Sequence, residues 1–125
     1  SIAKHFINKL KINAKNENQI VAFLSGGNQQ KVVISKCLNA DSSIILLDEP
    51  TRGVDIGAKG EIHNIIRDLA RKNGVSILVF SSELEEILSL CDRIVLLYER
   101  KIKKIIDNSN NVDNQEIMQI VTGVQ

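Results

Sequence analysis

Ile44, Ile45, Leu46 and Leu47 run without a break into Asp48 and Glu49, and Pro50 closes the run. Four consecutive branched or leucyl residues suit a strand buried on both faces, as in parallel sheets covered by helices. The run therefore points to an α/β sheet. Its two carboxylates stand at the C-terminal end of the strand, the edge where ligands bind in open parallel sheets. There Asp48 can hold Mg²⁺ through its water shell while Glu49 polarises a water.

One helix earlier stands Leu24-Ser25-Gly26-Gly27-Asn28-Gln29-Gln30. Ser25 suits the N-cap of a helix over residues 28–39, whose apolar positions Val32, Val33 and Cys37 recur at helical spacing. Gly26 and Gly27 remove two β-carbons where the chain enters the helix. A phosphate can then approach bare N–H groups at the positive end of the helix dipole, and the seryl hydroxyl adds one donor.

The remaining segments continue the pattern. Residues 57–73 carry Ile62, Ile65, Ile66 and Leu69 on one helical stripe, with Gly74 as a stop, and 75–80 read as a second buried strand. Strand, helix and strand then form a right-handed parallel unit. Ser81 and Ser82 lie at the end of this second strand and suit the cap of a helix starting at Glu83, which carries Leu84, Ile87, Leu88 and Cys91. A strand over 93–98 turns at 99–101 into another over 102–106, although the turn lacks the Asn-Gly or Asp-Gly that favours a hairpin. Ile2, Phe6, Ile7 and Leu10 mark an opening amphipathic helix, broken over 13–18. A polar linker over 107–114 leads to a final helix over 114–122, presenting Ile117, Ile120 and Val121.

Composition narrows the class. The chain has 125 residues, 43% hydrophobic and 25% charged, within the range of one globular domain. A net charge of +1 and 3% aromatic residues give no reason to expect nucleic acid. Cys37 and Cys91 stand alone at apolar positions and read as buried reduced thiols, which fits a reducing compartment. His5 and His63 have no companions at metal spacing and read as surface residues. No apolar run reaches the roughly 18 residues of a membrane span, and no charged-then-apolar leader opens the chain.

With these residues in view, 24–30 resembles the signature motif of ABC ATPases, and 44–49 resembles their Walker B strand with its catalytic glutamate. Arg52-Gly53-Val54-Asp55 resembles the D-loop. The wording LSGGNQQKV followed by LLDEPTRGVDIGAK is similar, more narrowly, to the second ATPase cassette of sugar importers of the ribose and galactose type. The resemblance runs from Leu24 to the end. Walker A is a departure: no lysine among the 125 residues is followed by Ser or Thr, as a P-loop requires, and nothing before Leu24 resembles the Q-loop. The expectation is the C-terminal piece of a cassette. Its fold class would be a truncated P-loop NTPase core, α/β with parallel strands and crossover helices, lacking the Walker A strand. Residues 1–43 would form the second half of the helical subdomain with the signature helix, 44–106 the Walker B, D-loop and H-loop part of the core, and 107–125 the linker and C-terminal helix.

What the resemblance implies about mechanism is specific. Two cassettes close head to tail, so Ser25, Gly26, Gly27 and Gln29 would meet the γ-phosphate of ATP held by a partner cassette, and Asp55 would cross the interface. On the chain's own sheet, Asp48 would hold Mg²⁺ and Glu49 would act as general base. Ser82 stands where most ABC cassettes carry a histidine, and a hydroxyl can donate a hydrogen bond but cannot carry that charge. The two composite sites would then be unequal. Implied partners are an N-terminal cassette, membrane permease subunits and an extracytoplasmic sugar-binding protein, with the chain peripheral at the cytoplasmic face of the membrane.

The resemblance also places the Walker A strand between strands 75–80 and 93–98. Its absence implies rearranged pairing, strand exchange with another copy, or weak stability. Two other readings stay open: the C-terminal lobe of a chromosome-structure or repair ATPase, and a silent docking module. The first calls for a preceding heptad pattern, which residues 1–23 do not sustain. Thr51-Arg52-Gly53 and Ser81-Ser82-Glu83 favour the importer cassette. Hydrolysis by the chain alone would refute the second.

Overall fold

The computed structural model describes residues 1–109 and 111–124; Asn110, within the expected linker, and Gln125 lie outside the described residues. The chain divides into two units, residues 1–82 and the segment from Glu83 on.

The first unit opens with α1 (Ile2–Lys9), capped by the Ser1 hydroxyl, which accepts from Lys4 N–H at 3.3 Å. Phe6 and Leu10 of its apolar face are buried, whereas Ile2 is exposed. A single 3₁₀ turn (Val21–Phe23) leads to α2 (Gly26–Asn39). Then come β1 (Ile44–Asp48), α3 (Ile56–Asn73) and β2 (Ser76–Phe80). β1 and β2 are parallel, Ile44 opposite Ser76 and Asp48 opposite Phe80. The connection is the long helix that a parallel pair needs. α3 packs on β2 and on α2, and buries Ile62, Ile66 and Leu69. Gly74 ends it with φ +66°, a left-handed C-cap that glycine adopts without strain.

The structure departs from the sequence pattern at two places. The strands are buried on one face, not two: Ile45 and Leu47 are buried, while Ile44 and Leu46 are 66% and 65% exposed. β2 likewise alternates between half-buried and exposed residues, with Leu78 and Phe80 outward. Side chains alternate across a strand, so cover on one face alone buries every second residue, whatever the run of apolar residues. α2, secondly, buries Gly27, Lys31, Ile34 and Ser35 rather than a stripe through Val32, Val33 and Cys37. Val33 is exposed, because the helix is turned by close packing at Gly27 and by the ion pair of Lys31.

The second unit comprises α4 (Leu84–Leu90), β3 (Arg93–Tyr98), β4 (Lys101–Asp107) and α5 (Asn114–Thr122). The cap of α4 is Glu83, with no side-chain capping bond, instead of the expected Ser81-Ser82. The Glu83 carbonyl accepts from Glu86 and Ile87 N–H at 3.1 and 3.4 Å. Asn108 Nδ2 closes the other end of α4 on the Leu88 and Cys91 carbonyls, at 2.7 and 2.6 Å. β3 and β4 form the expected hairpin, with Lys101 inside the strand. Its turn residues, Glu99 and Arg100, take φ +49° and +62°, the left-handed pair that a two-residue turn demands. Ile94, Leu96 and Ile117 form the core, with Leu84, Ile87, Leu88, Ile106, Val112 and Ile120 packed against it.

Among the described residues β1 and β2 make one two-stranded sheet, and β3 and β4 another. The rearranged pairing expected as one way of closing the sheet is therefore not formed. Both cysteines are free and half-buried instead of fully enclosed. Burial, then the nearby Asp92 and Glu86 carboxylates, push the Cys91 thiol up from its usual value.

Candidate functional site

The first unit brings three segments together: the turn that starts α2, the loop after β1, and the end of β2. At the first, Ser25 caps α2, its Oγ accepting from Asn28 N–H at 3.4 Å and from Asn28 Nδ2 at 2.8 Å. Ser25 and Gly26 are exposed. Gln29 turns its amide back on the preceding turn, Nε2 donating to the Leu24 carbonyl at 3.0 Å and to Ala22 at 3.4 Å. Asn28 reaches the other way and accepts from Asn13 N–H at 2.8 Å.

The two glycines have distinct surroundings. A β-carbon on Gly26 would lie 3.1 Å from the Gly53 carbonyl, and one on Gly27 would lie 2.6 Å from Ala58 Cβ. Gly27 is buried, so its missing side chain permits α2 to close on the start of α3. The turn before α2 and the loop before α3 therefore meet at glycine. Asp55 ends that loop as N-cap of α3, Oδ1 accepting from Ala58 N–H at 2.9 Å.

At the end of β1, Asp48 is exposed and Glu49 adopts a left-handed φ of +48°. Its N–H donates to the Phe80 carbonyl at 2.8 Å, and its carbonyl accepts from Arg52 N–H at 3.1 Å. The side chain doubles back: Oε1 accepts from the Ser82 backbone N–H at 2.9 Å, and the Arg52 guanidinium stands 3.6 Å from the same oxygen. Both contacts fall on Oε1, and Oε2 is the remaining oxygen for a proton. Ser82 thus touches Glu49 through its backbone, and its side chain is exposed.

Among the described residues no group of three His, Cys, Asp or Glu gathers to hold a metal unaided. The lone carboxylate of Asp48 suits a hydrated cation that takes its other oxygens from a bound phosphate, the habit of magnesium. Lys31 and Glu61 were passed over in the sequence, as was the contact of Arg52 with Glu49. Lys31 is buried and its ammonium meets Glu61 Oε2 at 2.7 Å. Its signal was its spacing, since Lys31 falls one turn after Gly27 on the buried side of α2.

The parallel β-α-β unit, with a capped glycine turn at one helix, has its counterpart in a solved ATP-binding cassette. The fold is that of part of an ABC-type ATP-binding cassette. The ABC transporter family matches residues 1–52. Over 98% of its length the chain is homologous with the ribose import ATP-binding protein RbsA of Caldanaerobacter subterraneus subsp. tengcongensis, at 46% identity and 25% of that protein. Ribose import ATP-binding protein RbsA 2 of Rhizobium meliloti is 44% identical over 99% of the chain and 24% of its own length. The chain spans about a quarter of the length of these curated relatives. Among solved structures, the dimeric post-hydrolysis state of the ATP-binding cassette MJ0796 with ADP and Pi has a TM-score of 0.74. It is 23% identical, covering 88% of this chain and 47% of that one. Among the described residues no helix is long and apolar enough to cross a membrane.

Proposed function

We propose that the chain works as the C-terminal part of the second cassette in the ATPase subunit of an ABC sugar importer, coupling ATP hydrolysis to carbohydrate uptake. The observation that carries this reading is the meeting of the Ser25-Gly26 turn with Gly53, in a chain homologous over 98% of its length with ribose import ATP-binding proteins. Ser25, Gly26, Gly27 and Gln29 then complete, in trans, a nucleotide site whose phosphates are gripped by the N-terminal cassette. The exposed head of α2 offers N–H groups at its positive end, and the glycine contact carries the position of that turn to Asp55 at the cassette interface.

On the chain's own sheet, Asp48 holds hydrated Mg²⁺ and Glu49 serves as general base at Oε2. When bound, the cation balances phosphate charge. The Ser82 N–H fixes the rotamer of Glu49, while the Ser82 hydroxyl supplies only a neutral donor where most cassettes place an imidazole. The site completed by Ser25 is therefore the stronger, and the site around Glu49 is weaker or regulatory. Residues 1–43 belong to the helical subdomain, 44–106 to the ATPase core and 107–125 to a linker and terminal helix. The subunit is peripheral at the cytoplasmic face, docked on permease subunits that receive sugar from an extracytoplasmic binding protein.

The reading is tested by ATP hydrolysis in the reconstituted importer, with and without the sugar-loaded binding protein. Hydrolysis should rise when that protein is present. Ser25→Arg, which puts a long cation over the head of α2, should remove at least about 100-fold of it, the scale of losing one preorganised donor set. Hydrolysis by Ser25→Arg equal to the unaltered importer would overturn the trans role.

A further inference from the structure

Lys31 is a charged side chain only 5% exposed, on the helix that carries the signature turn. Its ammonium donates to Glu61 Oε2 on α3 at 2.7 Å and to the Lys11 carbonyl at 3.2 Å. Glu61 is the outer partner, its side chain 63% exposed. Taking an ammonium out of water is costly, and an apolar residue of similar volume often serves stability as well or better. What such a pair supplies is a fixed geometry between the elements that it joins.

That geometry is set beside the glycine contact. Gly27 faces Ala58 across the helix pair, and Lys31 and Glu61 lie one turn further along α2 and α3 respectively. The ion pair therefore locks the axial position of one helix on the other directly below the place where Gly26 meets Gly53. A second tie joins α2 to the segment after α1. The turn after α1, with Lys11 at φ +50°, is held by Lys31 at the Lys11 carbonyl and by Asn28 at the Asn13 N–H.

We propose that Lys31 is a positioning residue for ATP hydrolysis: paired with Glu61, it sets the register of α2 on α3 so that the Ser25-Gly26 turn and the loop at Gly53 move as one piece. This rests on the trans role of the signature turn. Lys31 is buried against Glu61 and the Lys11 carbonyl, so its loss misplaces the turn and leaves the grip of the partner cassette on ATP intact. A small misplacement far from the chemistry lowers turnover more than binding.

The test uses the full-length subunit in its reconstituted importer, with kcat and KM for ATP measured for Lys31→Met, Lys31→Arg, Glu61→Gln and the double variant Lys31→Met/Glu61→Gln. Lys31→Met should lower kcat about tenfold with KM within about twofold, and Lys31→Arg, which can keep the pair, should restore most of it. Glu61→Gln should shift kcat in the same direction, and the double variant should be no worse than Lys31→Met, because residues acting through one contact are not additive. Should Lys31→Met fail to fold, Glu61→Gln decides, since that side chain is exposed. Unchanged kcat in Glu61→Gln, additive losses in the double variant, or a parallel rise in KM would overturn the proposal. If the unaltered importer does not hydrolyse ATP, the functional reading itself fails; if it does and the variants match it, only the role of Lys31 fails.

Discussion

Glu49 holds its backbone in a region that non-glycine residues seldom occupy, with φ +48°. Such a conformation costs about 1–3 kcal/mol and persists where surrounding contacts over-determine it. Here the Phe80 carbonyl, the Arg52 N–H and the Ser82 N–H each hold one part of the residue. The result points a carboxylate across the end of β2 instead of along β1. Glu49→Gln retains the oxygen that accepts from Ser82 and loses the base. If the composite sites are unequal as proposed, it should reduce ATP hydrolysis in the reconstituted importer without abolishing it; complete loss would contradict the unequal sites. The carboxylate pair was legible in the sequence, since a strand of four apolar residues ending in Asp-Glu-Pro leaves both acids at the sheet edge. The backbone reversal was not, because the left-handed glutamate is tied to Ser82, 33 residues further along the chain. Lys31 escaped for a related reason. Lysine at a buried helical position has no apolar signal, and its partner Glu61 lies on another helix.

At the scale of elements, hydrophobic period and capping residues fixed most boundaries. α3 begins at Ile56, one residue before the expected 57, and ends at Asn73 as Gly74 implied; α5 spans Asn114–Thr122, as expected from the pattern. The faces were harder to read than the spans. Four consecutive apolar residues do not say how many faces of a strand are covered, and the burial of α2 is decided by close approach at Gly27. The β3–β4 hairpin shows local preference overridden. Glu99 and Arg100 both sit at positive φ, where asparagine and glycine are favoured, yet the pairing of Tyr98 with Lys101 brings the strands together there. Left-handed geometry costs a non-glycine residue about 1–2 kcal/mol, so Glu99→Asn/Arg100→Gly should raise stability by about 1–2 kcal/mol. A rise in the urea midpoint at unchanged slope would show it; a fall would mean that the two side chains make contacts worth more than the strain.

For the whole molecule, the informative surface is the open face of the β1–β2 sheet. Ile44 and Leu46 stand beside each other there with Leu78 and Phe80, which the parallel register puts on the same side. Parallel sheets are covered on both faces, and the sequence of β1 is written for two covered faces although one is covered here. The chain spans about a quarter of its curated relatives, and in the first unit its Ser25-Gly26 turn meets the loop at Gly53 while Glu49 is tied to Ser82. On the proposed reading the Ser25-Gly26 turn acts on a nucleotide whose phosphates are held by another cassette. The most direct measurement is Mg-ATP hydrolysis by the purified 125-residue chain, alone and then mixed with the remaining part of its subunit. Hydrolysis should appear only in the mixture, and hydrolysis by the chain alone would contradict the claim.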